Sequence, residues 1–198
     1  LLGLPGIFRT SRESIPSDVG YIAPPEELVQ HWRARLGTPE GFRIGIGWRG
    51  NMRYARNRDR SFPLDVFAAL ARIPGVRLIS LQQGATEQEL REFRSHSALV
   101  TLPEDVDKAS GPFMDTAAIM KNLDLVITSD TALPHLAGAL GVPVWTALSF
   151  APDWRWLLGR GDSPWYPTMR LFRQKKPGDW AGVFDGIEQA LRALLASR

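Results

Sequence analysis

Cysteine is absent from this 198-residue chain, which excludes a disulfide scaffold, a thiolate-ligated metal and a cysteine nucleophile. No window approaches the ~18 consecutive apolar residues needed to cross a bilayer, and the first residues lack the charged-then-apolar order of a secretory signal. The expectation is a soluble, cytoplasmic protein with no transmembrane segment. Charge of one sign is scarce as well: 24 Lys and Arg face 21 Asp and Glu, a formal +3, where a general polyanion binder carries more. Apolar bulk is plentiful. At 44% hydrophobic and 23% charged residues, the chain can bury one sizeable core and is too apolar for disorder.

The chain opens on Leu1 rather than Met, and the expectation is a piece of a longer protein. Pro5, Pro16, Pro24 and Pro25 lie among scattered polar residues, so residues 1–41 read as a linker or crossing segment. It carries one helix near 26–36, with Leu28, Val29, Trp32 and Leu36 as its apolar stripe and Gly37 and Pro39 as its stop. Trp32 reads as a packing anchor and His31 as an exposed polar residue, neither with chemistry. Residues 42–198 form the domain proper. Here short β-rich runs alternate with amphipathic stretches, the pattern of an α/β, Rossmann-like parallel sheet with helices on both faces. Strands are expected at 43–48, 76–81, 123–129 and 142–148, with weaker ones at 99–102 and 169–172, five or six in all. Helices are expected at 63–71, 86–94, 116–122, 132–140 and 180–196.

In such a sheet, ligands bind outside the carboxyl ends of the strands. The strongest candidate there is Asp130-Thr131-Ala132-Leu133-Pro134-His135, leaving a buried strand and entering a small-residue helix. Thr131 can cap that helix, Ala132 and Leu133 are expected to offer free N–H groups, and Pro134 suits the first turn. A diphosphate would find these donors, the Thr131 hydroxyl and the His135 imidazole on one side, and would favour the protonated ring. The alternative is an ordinary capped helix with a satisfied histidine.

A second candidate follows the first strand. Five arginines, Arg49, Arg53, Arg56, Arg58 and Arg60, accompany Gly50, Asn51 and Ser61. One or two could bind phosphate oxygens bidentately, Arg60 foremost because it adjoins a helix start; the rest are expected to face solvent. Gln82-Gln83-Gly84 and Met114-Asp115-Thr116 occupy strand ends where a base and ribose would lie, and are equally explained as turn and capping residues. The run Phe150 to Trp156 and the stretch Asp162 to Pro167 are rich in tryptophan and acids. Such faces suit sugar rings, but packing is the expected role.

Asp130-Thr131-Ala132 followed by His135 and Ala137 resembles the D-[ST]-[GA]-x-x-H-x-A motif of family nine of the glycosyltransferases, the lipopolysaccharide heptosyltransferases. Gly47-Trp48-Arg49-Gly50-Asn51, Arg60-Ser61, Ser80-Leu81-Gln82-Gln83-Gly84, Ala151 to Trp156 and Asp162 to Pro167 are similar to the glycosyltransferase-like end of bacterial tetratricopeptide-repeat proteins. The likeness runs from about Phe42 to the C-terminus. It implies one half of a GT-B fold, the C-terminal domain that holds a nucleoside-diphosphate sugar, while a separate N-terminal domain supplies the acceptor site and usually the base. By the same resemblance Asp130, Thr131, Ala132 and His135 meet the donor's phosphates or sugar, with Asn51, Arg60 and Ser61 across from them. Gln83, Met114, Asp115 and Thr116 flank the base. His135 would stabilise the leaving diphosphate in an inverting reaction that needs no metal and no cofactor.

The chain departs from the family in having Ala132 where Gly is common, and Arg60, not lysine, beside Ser61; the two cations are not equivalent at phosphate. Alone, it is expected to bind donor weakly and transfer nothing. The alternative is a non-catalytic interaction module beside tetratricopeptide repeats, docking through its tryptophan-rich end. Nucleic-acid binding through the arginine loop ranks last, because no recognition motif or aromatic ladder accompanies it.

Overall fold

All six residues of β1 (Phe42–Gly47) are buried, as a strand covered on both faces requires. The computed structural model describes residues 3–38, 40–51 and 57–198. β1 pairs in parallel with β2 (Val76–Ser80) on one side and β3 (Leu125–Ser129) on the other, Ile44 standing between Leu78 and Leu125. β4 (Val144–Leu148) and β5 (Met169–Arg173) extend the sheet beyond β3, so the order is β2-β1-β3-β4-β5 and every pairing is parallel. The helices are α1 (Leu4–Ile7), α2 (Glu26–Leu36), α3 (Asn57–Arg60), α4 (Ala68–Ala71), α5 (Glu87–Arg94), α6 (Met114–Met120), α7 (Ala132–Ala139) and α8 (Trp180–Ala196).

Strand alternation divides the core between the two faces. Ile44, Ile46, Leu125, Ile127 and Trp145 pack with Phe67 and Leu70 beside α4, Phe93 of α5, and Val183, Phe184, Ile187 and Leu191 of α8. Val126, Val144, Leu148 and Leu171 pack on the other face with Val29 and Trp32 of α2, Ala117 to Met120 of α6, and Ala137 of α7. The helix expected in the leading segment therefore contributes to the domain's own core, with Trp32 buried and His31 exposed as the sequence suggests.

Two expected elements come out differently. Residues 99–102 form no strand: only Val100 pairs, with Ile79, exchanging hydrogen bonds with Leu78 and Ser80, and Leu102, the next residue whose N–H would face β2, makes no backbone bond to it. The expected helix at 63–71 is a 3-10 turn over Leu64–Phe67 that becomes helical only in α4. The tighter turn seats both Leu64 and Phe67 in the core. Arg53, Arg56 and Pro39 lie outside the described residues.

Candidate functional site

The chain runs outward from β1 to β2, then returns to place β3 on β1's other side. The carboxyl ends of β1 and β3 are therefore the point where connections diverge and leave a crevice. The loop after β1 is built around Asn57, whose side-chain oxygen accepts from Gly50 N at 3.0 Å, while Ser61 Oγ donates to the Asn57 carbonyl at 2.6 Å. Arg60, ending α3, crosses to the opposite loop and donates from Nη1 to the Asp130 carbonyl at 2.7 Å. A side chain at position 50 would displace these groups. A Cβ there would lie 2.7 Å from Arg60 Nη2 and 2.8 Å from Asn57 Oδ1.

Between these loops lies a crevice of about 200 Å³ lined by Asp59, Arg60, Asp130, Thr131, His135, Ser149, Asp153 and Arg155 among others. Thr131 has the extended backbone of a helix cap, and its hydroxyl oxygen accepts from Leu133 N at 3.3 Å. The expectation of a free Leu133 N–H is corrected accordingly, since the cap residue satisfies it. Ala132 is exposed at the first helical position and Pro134 is buried.

His135 lies partly buried one turn into α7. Its ring stacks on Trp156, centroids 5.1 Å apart and planes 19° off parallel, and Nδ1 is 3.1 Å from the Tyr166 hydroxyl. Burial holds the His135 imidazolium below the ordinary histidine range; Asp130 opposes this, Arg155 reinforces it and Asp153 opposes it. The unfolded chain thus takes up a proton before the folded one does, so stability present at neutral pH is lost as pH falls through the ordinary histidine range toward the lowered folded value. Between about pH 7 and about pH 5.5, the urea midpoint is expected to fall more steeply in the wild type than in His135→Gln.

The remaining expected site residues part company. Gln83 and Thr116 line a second cavity of about 770 Å³ at the end of β2, both attached to Asp107. Gln83 Nε2 donates to Oδ2 at 3.2 Å, while Thr116 donates from N at 3.0 Å and from its hydroxyl at 2.5 Å. Phe113, 44% exposed and left-handed at φ 63°, lines the same cavity. Met114 is half-buried at the start of α6, and Asp115 turns inward to accept from Trp32 Nε1 at 2.7 Å and Asp107 N at 2.9 Å. Asn51 is exposed after β1 and Ser61 is half-buried beneath the loop. Arg49 is directed away, held by both Glu89 oxygens at 2.8 and 2.9 Å and by the Gly84 carbonyl.

Sequence reasoning missed Arg155, Asp153, Ser149 and Tyr166. The first two sat in the tryptophan-rich run, assigned there to packing, and Trp156 is indeed fully buried. Phe150 and Trp154, 51% and 61% exposed, are exceptions. Their signal was position: the run follows β4, one strand over from β3, and so reaches the same edge. A broader groove of about 1020 Å³ between residues 12–17 and 157–167 is larger. Its charged pairs, Arg12 with Glu13 and Arg160 with Asp162, are neutralised locally, so size does not mark the site. Among the described residues, no group of three or more His, Asp or Glu is placed to hold a metal ion, and no helix is long and apolar enough to cross a membrane.

No family model matches the chain. Protein FlbA of Caulobacter vibrioides is 31% identical over 193 residues, covering 96% of this chain and 32% of that protein, so the chain spans about a third of the length of this curated relative. Among solved structures, the E. coli ADP-heptose lipopolysaccharide heptosyltransferase II superposes with a TM-score of 0.66 at 13% identity, over 93% of this chain and 56% of that one. The family 9 glycosyl transferase of Veillonella parvula gives 0.65 at 14% identity, over 98% and 58%. E. coli heptosyltransferase WaaC with ADP-2-deoxy-2-fluoro heptose gives 0.54 at 17%, over 83% and 47%. The five-stranded parallel α/β domain therefore has the Rossmann-like fold found in roughly half of each of these glycosyltransferases.

Proposed function

We propose that this chain is the donor-binding, C-terminal half of a GT-B glycosyltransferase that holds a nucleoside-diphosphate sugar in the crevice between β1 and β3. The observation that carries the reading is the convergence of Arg60, His135, Arg155 and the start of α7 on that crevice. Two guanidinium groups, an imidazole and a helix N-terminus would aim N–H donors where a leaving diphosphate develops charge, among the carboxylates of Asp59, Asp130 and Asp153, the last paired with Arg155 at 2.8 Å, so that the departure would need no metal. An acceptor hydroxyl brought by a second domain would attack the anomeric carbon opposite the diphosphate and invert it, with the base coming from that domain. Gln83, Thr116 and Phe113 would border the nucleoside in the second cavity. The chain covers about a third of its curated relative, which leaves room there for an acceptor domain or tetratricopeptide repeats as partners.

Calorimetric titration with ADP, UDP, GDP and their sugar conjugates tests the reading. Saturable binding to one base is expected, weakened about ten- to a hundredfold in His135→Ala with the fold intact. Equal affinity in that variant removes His135 from the site. A second reading, a non-catalytic docking module, draws on the exposure of Phe150, Trp154 and Leu158 at 51%, 61% and 87%. Silence across the panel, in this chain and in its longer parent alike, would favour it.

A further inference from the structure

His135 presents a difficulty for an anion site: burial disfavours its charged form, so near neutrality the ring offers a phosphate one N–H at most, and only if the proton sits on the correct nitrogen. Which nitrogen carries it is set by the partner of the other. That partner is Tyr166, whose hydroxyl lies 3.1 Å from Nδ1. We propose that Tyr166 is the positioning residue of the site: its hydroxyl donates to His135 Nδ1 and so presents Nε2–H of the neutral ring to the donor's diphosphate. This rests on the reading of the crevice as a diphosphate site.

Two independent contacts build the arrangement. Trp156, fully buried, fixes the plane of the imidazole by stacking. Gly138, three residues after His135 on α7, admits the Tyr166 ring, since a Cβ there would stand 2.4 Å from the ring's Cγ. Tyr21 lines a small cavity together with Tyr166, on a segment anchored by Ile22 N to the Ala139 carbonyl at 3.3 Å. Burial, then the neighbouring Tyr21, pushes the Tyr166 hydroxyl up to about 12, against a smaller opposing effect of Arg155, so it keeps its proton. The charged groups facing the imidazole are Asp130, Arg155 and Asp153, none of which takes the place of Tyr166 at Nδ1.

Nitrogen-detected NMR of the ligand-free chain reads the arrangement directly. In the neutral wild type, Nε2 is expected to carry the proton while Nδ1 resonates as a hydrogen-bonded acceptor; in Tyr166→Phe the Nδ1 resonance moves to the unbonded position. The phenylalanine keeps the ring over Gly138, so the fold is retained. ADP affinity in Tyr166→Phe is expected to fall roughly three- to tenfold above the His135 midpoint. The deficit shrinks below that midpoint, where both ring nitrogens carry protons and the donor no longer depends on tautomer. A proton on Nδ1 in the neutral wild type overturns the proposal, as do unchanged nitrogen resonances in Tyr166→Phe. So does an affinity loss of equal size on both sides of the midpoint, which marks a merely structural tyrosine. If ADP does not bind even the wild type, the diphosphate reading fails alone, and the resonances still decide whether Tyr166 sets the tautomer.

Discussion

Replacing Arg60 with alanine, at a stability cost of about 1 kcal/mol or more for the lost bond to the Asp130 carbonyl, is expected to lower affinity for the nucleoside diphosphate about ten- to a hundredfold. The loss corresponds to about 1.5–3 kcal/mol, the range of a hydrogen bond to a charged group. Arg60 lines the crevice and is aimed by its own bond to the Asp130 carbonyl, at 2.7 Å. It therefore ties the loop after β1 to the loop after β3 at the spot where a diphosphate would bridge them. Lysine does not rescue the loss, because a single ammonium cannot reproduce a planar fork that bonds Asp130 and a phosphate together. The contrast with Arg49 checks the assignment. That arginine is spent on Glu89 and Gly84, so Arg49→Ala should cost stability at the β1–β2 edge and leave nucleotide affinity nearly unchanged. Paired calorimetry and urea unfolding on the two variants separate these effects, and an Arg60→Ala chain that binds as the wild type does would place the phosphates elsewhere.

The sheet was legible because its central strands are buried on both faces: Arg43 to Gly47 and Leu125 to Ser129 had no need to alternate, and short apolar runs ending in Gly or Ser-Asp declared themselves. The segment at 99–102 misled for the opposite reason. Leu99 and Val100 have strand composition, but the ladder ends after one bridge, and composition does not count hydrogen bonds. Thr131 and His135 could be read together because they lie on one strand-to-helix turn, where spacing along the chain is spacing in space. Tyr166 could not, because it reaches His135 from 31 residues away, through a loop whose path no periodicity encodes. Asp115 shows the converse: adjacent in sequence to Thr116 and equally polar, it faces inward, and nothing short of the position of Trp32 reveals this.

That inward carboxylate carries a large expected stability effect for a polar side chain. Asp115 is 6% exposed and accepts from the Trp32 indole at 2.7 Å, from Asp107 N at 2.9 Å and from Ser110 Oγ at 3.3 Å. Alanine there strands the indole N–H of a tryptophan that is itself 3% exposed, a buried donor whose loss of its partner costs about 1–3 kcal/mol, and releases the half-buried Asp107 amide at smaller cost. Asp115→Ala should therefore lose about 2–3 kcal/mol, seen as a lower urea midpoint with an unchanged slope. Asp115→Asn should lose less, because its carbonyl still serves Trp32 while its amide group opposes the Asp107 N–H. The consequence extends beyond stability. Asp107, whose amide Asp115 fixes, is the residue that holds both Gln83 and Thr116 at the second cavity, so the Asn variant should weaken nucleoside binding through that cavity even where the fold survives. Loss of stability without any loss of affinity in Asp115→Asn would show that Asp107 keeps its place unaided, and that Asp115 belongs to the α2–α6 contact alone.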